Sequence, residues 1–379
     1  MFDNFESVSE TKNKTVVVAM SGGVDSSVAA YLLKEQGYNL IGVTMKTWGY
    51  DDIPEKDSGC CSLETIYSAR SVAAQLGFPH YTIDFTDKFN EVVISNFVDE
   101  YIKGRTPNPC VLCNKEIKWG ALLEKAESLG ADFIATGHYA KINYDENTAR
   151  YFVSASNDKT KDQSYALWRV SQYALSKTIF PLGDLKKTEV REIAKDLGLK
   201  PAATPDSQEI CFVPNDDYRQ LLQIRIPDME EKYSNGEIIY RDKVIGKHKG
   251  YPYYTIGQRR GLNVALGKPV YVSKIDADSN LIYVDDDEGL FNKVFITNEI
   301  NLMKYEKLTL ANAGVKPRNV KVKIRYKDIG DEAVIEQMNS SEIKVSFKEP
   351  KRSITPGQSA VFYEDDDVIG GGIIDSIIN

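Results

Sequence analysis

Short apolar runs alternate with helical stretches that each end at a glycine through the first two hundred residues of this 379-residue chain. The first run, residues 15–20, is continuously apolar and rich in valine, which is typical of a strand buried on both faces. The helical pattern after it stops at Gly37, a residue type that readily ends helices. Further strands are expected at 40–45, 81–85 and 132–136, and helices at 26–36, 64–76, 114–129 and 188–197. This alternation predicts a doubly wound α/β fold with a parallel sheet.

The pattern changes after about residue 215, where short alternating runs replace the helical periodicity. These runs lie at 237–241, 270–275, 281–284, 320–326, 343–347 and 360–363. Polar or glycine-containing breaks separate them, which predicts antiparallel β structure arranged as a small linking domain and a C-terminal barrel. We therefore predict three domains, at residues 1–215, 216–292 and 293–379.

Cysteine content and hydropathy indicate a cytoplasmic protein. No apolar run reaches the roughly 18 residues that a membrane span needs, and residues 1–14 lack the apolar centre of a secretory signal. The five cysteines are an odd number in a chain large enough to fold without disulfides, so we expect reduced thiols available for chemistry or metal. We expect no membrane association and a monomer.

Charge alone does not indicate a nucleic-acid partner, because the formal net charge is −8. The acidic residues, however, concentrate at 285–288 and 364–367, whereas basic residues cluster within 243–260 and 316–327. A phosphate backbone responds to the local field, so one basic patch can bind RNA on an acidic chain. The alternative is that both basic clusters are solvated faces, and charge by itself favours that interpretation.

A serine- and glycine-rich string, Ser-Gly-Gly-Val-Asp-Ser-Ser at residues 21–27, stands where the first strand turns into the first helix. The backbone N–H groups of the glycines, the dipole of the helix and the hydroxyl groups of the serines can all stabilise an anion, so the string predicts an anion-binding site. The string lacks the Gly-Lys-Ser/Thr ending of a Walker A loop, so we do not expect that mode of phosphate binding. The alternative is a plain turn in which Asp25 or a serine caps the helix.

Two cysteines follow a proline-rich approach in residues 105–119. Two prolines are expected to hold that approach extended. Asn114 is a good N-cap, so Cys113 is expected just before a helix, where the helix dipole and Lys115 favour the thiolate. Another cysteine, Cys211, follows the last α/β helix. Cys60 and Cys61 are more simply explained by packing.

Residues 19–26 resemble the pyrophosphate loop of the N-type ATP pyrophosphatases, enzymes that transfer AMP from ATP to a substrate oxygen. Six further segments are similar, in the same order, to the bacterial-type tRNA-specific 2-thiouridylases. They are residues 108–118, 135–139, 161–165, 207–212, 255–259 and 355–362. The resemblance extends from about residue 15 to residue 374 and implies an adenine nucleotide alpha hydrolase-like catalytic domain.

That resemblance implies ATP-dependent 2-thiolation of the wobble uridine, position 34, in the tRNAs for lysine, glutamate and glutamine. It assigns the binding of ATP with Mg²⁺ to Ala19, Met20, Ser21, Gly22, Gly23, Val24, Asp25, Ser26, Met45 and Gly137. It assigns tRNA contacts, including the target base, to Asn108, Pro109, Cys110, His138, Lys161, Asp162, Gln163, Arg325, Tyr326 and Gln358. Arg325 lies in the second basic cluster, which strengthens the RNA-binding interpretation of that cluster.

The implied reaction has two stages, release of pyrophosphate and then of AMP. Adenylation of the uridine O2 converts a poor leaving group into AMP, and sulfur then replaces it. The resemblance assigns a persulfide to Cys211, charged by a sulfur relay protein or a cysteine desulfurase, and the nucleophile to Cys113. The Cys113–Cys211 disulfide that results must be reduced before another turnover.

Cys110 departs from the family pattern, because the best-characterised members carry an aspartate there that is assigned as a general acid/base. A thiol can also move a proton, although its pKa is higher. Alternatively, Cys110, Cys113 and Cys211 could hold a four-iron cluster with one open iron, as in some related tRNA thiolases. The persulfide route is favoured because the rest of the chain follows the non-cluster family.

Two other functions fit part of the sequence. One is a different ATP pyrophosphatase, such as an amidotransferase-type synthetase or a tRNA lysidine synthetase, neither of which needs a pair of reactive cysteines. The other is a non-enzymatic RNA-binding or iron–sulfur carrier protein, which has no need for the intact loop at residues 21–27.

Overall fold

A computed structural model describes residues 13–48, 63–200, 210–213, 215, 217–308 and 318–378 of the chain. The chain forms two compact units. The first draws on residues 1–93, 110–216 and 366–368, and the second on residues 94–109, 217–365 and 369–379. Within the described ranges, no helix is long and apolar enough to cross a membrane.

The first unit is built around a five-stranded parallel sheet and a hairpin. Its strands are β1 (Thr15–Ala19), β2 (Asn39–Lys46), β3 (His80–Asp84), β4 (Phe133–Thr136), β5 (Ala140–Asp145), β6 (Arg150–Ala155) and β7 (Thr178–Ile179). The sheet order is β3-β2-β1-β4-β7 with every neighbouring pair parallel. The hairpin of β5 and β6 pairs through β6 with residues 367–368. The predicted doubly wound α/β fold is confirmed.

Helices cover this sheet because each buries an apolar stripe against it. The α-helices of the described ranges, in both units, are α1 (Val24–Glu35), α2 (Leu63–Leu76), α3 (Thr86–Phe89), α4 (Ser95–Ile102), α5 (Pro109–Cys113), α6 (Leu123–Ser128), α7 (Gln172–Ser176), α8 (Lys187–Asp196), α9 (Tyr218–Arg225) and α10 (Met229–Tyr233). Val28 and Leu33 of α1, Val72 of α2 and Val190 of α8 join one core with Val16 and Val18 of β1. Complete burial of each such side chain stabilises the fold by roughly 1.5–3 kcal/mol.

The helix predicted at residues 114–129 begins earlier than expected. Its run starts with α5 at Pro109 and continues through a π-helical stretch, Asn114–Leu122, into α6. Proline is well suited to the first turn of a helix, where its missing N–H is not needed. The prediction that Asn114 caps the helix and that Cys113 precedes it is therefore wrong, since both lie inside the helical run.

The second unit contains a closed barrel and a four-stranded sheet. The barrel strands are β12 (Phe291–Leu302), β13 (Arg318–Lys323), β14 (Asp331–Gln337), β15 (Ile343–Arg352), β16 (Ser359–Glu364) and the part of β17 (Asp367–Ile378) from residue 369. Their order is β12-β15-β14-β13-β16-β17, and pairing of β17 with β12 closes the barrel. The predicted C-terminal antiparallel barrel is confirmed.

The smaller sheet of this unit has the order β10-β11-β8-β9. Its strands are β8 (Glu237–Tyr240), β9 (Lys243–Lys247), β10 (Tyr271–Asp276) and β11 (Leu281–Asp285). Helix α4 also belongs to this unit, where Tyr101 stacks on Tyr218 with 4.4 Å between ring centroids. The Tyr251 hydroxyl donates to the carbonyl of Ile102 at 2.5 Å.

Strand β13 is shorter than the run predicted at 320–326. It ends at Lys323 because the Asp328 carboxylate accepts from the backbone N–H of Ile324 and of Gly330, both at 3.1 Å. These bonds fold the next residues into a turn and leave Arg325 exposed there.

Candidate active site

The loop after β1 takes a conformation that only glycine adopts easily. Gly22 has φ +76°, and a Cβ on it would lie 2.2 Å from the carbonyl oxygen of Thr65. The Ser68 hydroxyl donates to the Gly22 carbonyl at 3.1 Å. Helix α2 therefore fixes the loop from outside and requires glycine at this position.

The serines of the loop bond to the loop itself and do not cap α1. Ser26 Oγ accepts from the Ser21 N–H at 3.2 Å and donates to the Gly23 carbonyl at 3.1 Å, which also accepts from Ser27 Oγ at 2.9 Å. No side chain caps the first turn of α1, which begins at Val24. The alternative of an ordinary capped turn is therefore wrong, and the first-turn N–H groups can still accept an anion.

The loop lies at the point where the sheet order reverses. Strand β1 continues to β2 on one side and to β4 on the other, and open α/β sheets bind ligands at this switch point. Of the predicted ATP residues, Ala19 ends β1 and Met20 follows it, Met45 is the last residue but one of β2, and Gly137 follows β4. A Cβ on Gly137 would lie 2.7 Å from the backbone nitrogen of Ser26, so only glycine allows this approach.

A buried lysine that sequence reasoning missed pairs with the loop aspartate. Lys187 Nζ lies 2.8 Å from both carboxylate oxygens of Asp25, and the Tyr139 hydroxyl donates to Asp25 Oδ1 at 2.8 Å. The Lys187 side chain is 9% exposed and that of Asp25 is 32% exposed. A signal was present, because Lys187 shares the buried face of α8 with Val190 and Ala194 at helical spacing.

Helix α5 carries two cysteines, Cys110 and Cys113, whose side chains differ in exposure. Cys110 is exposed in the first turn and Cys113 is half-buried, and neither forms a disulfide. The protein atoms packed around the Cys110 thiol raise its pKa, which the ammonium of Lys118 lowers only in part. A raised pKa favours the thiol over the thiolate at this position.

A polar chain runs from this helix to His138. Asn114 donates to the carbonyl of Ala166 at 2.9 Å and accepts from Lys118 Nζ at 2.9 Å, and Lys118 Nζ lies 3.4 Å from His138 Nε2. His138 Nδ1 lies 2.6 Å from Thr136 Oγ1. Because an ammonium only donates, Nε2 accepts and Nδ1 carries the proton. Burial, and then Lys118, hold the pKa of His138 well below its usual range.

Cys211 lies in a short turn at residues 210–213 and is a half-buried free thiol. The turn is anchored by Phe212, which is 1% exposed and packs edge-on against Phe89 with 5.5 Å between ring centroids. Cys60, Cys61 and residues 207–209 of the same motif lie outside the described residues. Within the described ranges, no three His, Cys, Asp or Glu side chains converge as metal ligands, so Cys110, Cys113 and Cys211 form no preassembled cluster site there.

Two of the three residues predicted at 161–163 to contact tRNA, Asp162 and Gln163, form hydrogen bonds within the protein that stabilise the loop around them. Asp162 accepts from the Ser156 N–H at 3.1 Å and from Ser164 Oγ at 2.8 Å. Gln163 Oε1 accepts from the Tyr139 N–H at 2.9 Å. The side chain of Lys161, the third member, is half-buried on the same loop.

In the second unit, Gln358 braces the segment that leads to Asn108 and Pro109. Gln358 Nε2 donates to the carbonyls of Thr106 and Pro107 at 3.0 and 2.9 Å, and the Thr106 N–H donates to the carbonyl of Pro356 at 2.9 Å. Arg325 and Tyr326, predicted with Gln358 to contact tRNA, lie exposed in the turn after β13.

The remaining two histidines are also held neutral. Burial, and then the charge of Arg70, lower the pKa of His80, whose Nε2 lies 2.9 Å from Thr44 Oγ1. Burial lowers the pKa of His248, against a smaller opposing effect of its bond to the Asn280 carbonyl. The pKa of every histidine of the chain is therefore lowered by burial.

Three family models match consecutive parts of the chain. They are the tRNA methyl transferase HUP domain at residues 14–215, the tRNA methyl transferase PRC-barrel domain at 228–286 and the aminomethyltransferase beta-barrel domain at 292–374. A solved 4-thiouridine synthetase–RNA complex with bound ATP resembles the chain only weakly, with TM-score 0.34 and 18% identity over 57% of this chain and 51% of that chain.

Full-length relatives are far more similar. The tRNA-specific 2-thiouridylase MnmA of Salinibacter ruber is 50% identical over 97% of this chain and 96% of its own length. The proteins of the same name from Cytophaga hutchinsonii and Clostridioides difficile are 49% and 46% identical over 97% and 96% of this chain, and 98% of each of those proteins is covered. The chain therefore belongs to the tRNA-specific 2-thiouridylase family.

Proposed function

We propose that this chain catalyses ATP-dependent 2-thiolation of the wobble uridine, position 34, in the tRNAs for lysine, glutamate and glutamine. The observation that carries the proposal is 50% identity over nearly the whole chain to a tRNA-specific 2-thiouridylase. The loop at the switch point supplies the physical reason, because uncapped N–H groups at the start of α1 can hold the phosphates of ATP.

In the first stage the uridine O2 attacks the α-phosphorus of ATP and pyrophosphate leaves. Backbone N–H groups of the loop stabilise the charge that develops on the phosphate oxygens. Magnesium ions bound with ATP phosphates need only one or two protein carboxylates. The loop fits such an ion through Asp25, whose carboxylate faces Lys187 in this structure. The ion would neutralise phosphate charge while ATP is bound.

In the second stage sulfur replaces the adenylated oxygen and AMP leaves with that oxygen. We assign the persulfide to Cys211 and the nucleophile to Cys113. The outer persulfide sulfur bonds to C2 of the base, either directly or as sulfide, and attack of Cys113 on the inner sulfur breaks the S–S bond of the persulfide. The Cys113–Cys211 disulfide that forms must be reduced after each turnover. The raised pKa of Cys110 favours a proton donor at this position over a base. We also propose that the protein is a monomer in the reducing cytoplasm, where cysteines stay out of disulfides. A cysteine desulfurase or sulfur relay protein would charge Cys211 there.

The test measures AMP release and 2-thiouridine in tRNA transcripts, with labelled ATP and a cysteine desulfurase as sulfur source. Wild type is expected to form AMP only with tRNA, and Cys113→Ala and Cys211→Ala are expected to lose 2-thiouridine. AMP formation that depends on a free amino acid would instead indicate another ATP pyrophosphatase. Unchanged thiolation by Cys211→Ala would refute the persulfide assignment.

Cys110 decides between the two sulfur routes. With limiting sulfur donor, Cys110→Ala is expected to lose activity, and Cys110→Asp, which restores the family's usual residue, is expected to keep it. Iron and acid-labile sulfide are measured in protein purified without oxygen. Roughly four of each per chain, lost in Cys110→Ala, would replace the persulfide route with a cluster on Cys110, Cys113 and Cys211.

A further inference from the structure

Two turns of the second unit share a sequence and a geometry. Residues 255–258 and 355–358 both read Thr-x-Gly-Gln, and their glycines, Gly257 and Gly357, have φ +84° and +90°. Each glycine N–H donates 2.8 Å to a strand carbonyl, of Val272 in β10 and of Ile374 in β17. The same strand residue then donates back to the glutamine carbonyl, at 2.9 and 2.8 Å. We call them the paired Thr-x-Gly-Gln turns.

The paired turns form walls of a cavity of about 350 Å³, within the size range of small-ligand sites. Thr255 and Gly257 line it from the first turn, and Thr355 and Gln358 from the second. Gly257 leaves the interior open, because a Cβ there would lie 2.7 Å from Ser353 Oγ. The cavity is therefore built by main-chain geometry that both motifs specify.

The charged residues that line this cavity are both arginines, and none of its ten lining residues is acidic. Arg352 donates through Nε to Asp287 Oδ1 at 3.0 Å, and its Nη1 lies 3.4 Å from Ser353 Oγ. Among the residues that the structure describes, no carboxylate pairs with the Arg325 guanidinium. Two arginines against one carboxylate leave a local positive charge in a chain of net charge −8.

We propose that this cavity binds a phosphodiester of the tRNA strand next to the target uridine, an inference that rests on the proposed function. Guanidinium groups match phosphate oxygens in a forked geometry, and threonine and serine hydroxyls add neutral donors. The new elements are Arg352 and the first Thr-x-Gly-Gln turn, which join Arg325 and Gln358 in one site.

The position of Thr106 places the bound phosphate near the target base. Thr106 lines the cavity and precedes Asn108, which is expected to meet that base, by two residues. Two residues of extended chain reach about 7 Å at most. A nucleotide in the cavity is thus a neighbour of the uridine in the anticodon loop and not part of a distant arm.

The experiment measures affinity for unmodified full-length tRNA and for its isolated anticodon stem-loop over a series of salt concentrations. Arg352→Gln is expected to weaken both by about tenfold, as for a lost charged hydrogen bond. The slope of log affinity against log salt should fall in magnitude by about 0.7, the value for one single-strand phosphate. The matched control is Arg241→Gln, because Arg241 also pairs with an aspartate of this unit but lies outside the cavity.

Asp287→Asn separates binding from a purely structural role. It breaks the same ion pair as Arg352→Gln but leaves the arginine in place, so tRNA affinity is expected to stay or rise. Equal losses in the two variants, with equal losses of thermal stability, would overturn the proposal.

Three other outcomes also decide the question. A loss with full-length tRNA but not with the stem-loop would refute the placement beside the uridine. A change of ATP affinity in Arg352→Gln without RNA would show that the cavity takes a nucleotide phosphate instead. Wild type that binds tRNA and thiolates it, with Arg352→Gln unchanged, would refute this inference alone, whereas wild type inactive on tRNA would refute the proposed function as well.

Discussion

Removing either partner of the Asp25–Lys187 pair should destabilise the first unit by very different amounts. Lys187 is 9% exposed in its side chain, whereas Asp25 is 32% exposed and also accepts from Tyr139. Asp25→Asn leaves a buried ammonium facing an amide, a loss of about 3–5 kcal/mol. Lys187→Met keeps the packing volume and leaves a partly hydrated carboxylate, a loss of about 1–2 kcal/mol.

The double variant sharpens the prediction. With Asp25→Asn and Lys187→Met together, no buried charge remains, so the loss should be smaller than for Asp25→Asn alone.

The assay is urea unfolding followed by tryptophan fluorescence. The three tryptophans of the chain, Trp48, Trp119 and Trp168, are buried and belong to the first unit, so the signal reports that unit alone. A loss for Lys187→Met equal to or larger than that for Asp25→Asn would refute the reasoning from burial. A double variant less stable than both single variants would refute it equally.

Three further predictions concern the glycine loop after β1, the three histidines, and the hydrogen bonds of Gln358 to the segment before Asn108. Gly22→Ala should lower ATP affinity by tenfold or more in equilibrium binding, because its Cβ meets the backbone of Thr65; Gly77→Ala, with φ +75° and no atom within 4 Å, is the control and should bind ATP normally. The urea midpoint of unfolding should fall as the pH drops below about 6.5, because burial lowers the pKa of the histidines in the folded state and the unfolded chain therefore binds more protons. A midpoint that does not change with pH would contradict this. Gln358→Ala should lower the thiolation rate at saturating tRNA, because two hydrogen bonds to the segment before Asn108 are lost; a pure loss of tRNA affinity would contradict the bracing role.

The parallel sheet was predictable because its signals are local. The valines of β1 are buried on both faces, so the strand reads as a continuous apolar run. The closed barrel was predicted as a class, but strands such as β12 and β14 were missed because only three residues of each are buried and polar or charged residues lie between them. The start at Pro109 was missed because proline before a cysteine pair also suits an extended chain.

In the candidate site too, features with a local sequence pattern were predicted, whereas those that depend on distant residues were not. The glycine loop was predictable because a strand–helix junction with that composition has few other uses. The helical spacing of α8 places Lys187 on its buried face, but the pairing with Asp25 was not predicted, since that partner is 162 residues away along the chain. The bracing role of Gln358 likewise depends on carbonyl groups about 250 residues earlier, which no local pattern reveals.

The chain order within the two units has a consequence for biosynthesis. The hairpin of β5 and β6 belongs to the first unit, but the strand that covers its edge is supplied by residues 367–368. At roughly 5–20 residues per second, the ribosome takes about 10 to 40 seconds to extend the chain from Ala155 to that strand.

During this interval the backbone groups of Val153 and Ser154 have no β17 to pair with, and an open strand edge attracts other strands. The barrel also waits for its last strand, which closes against β12. A nascent chain that stops before residue 366 would therefore carry two unfinished sheets at once, and chaperones would have to protect both. A protein cut into separate domains would keep these strand edges unpaired permanently.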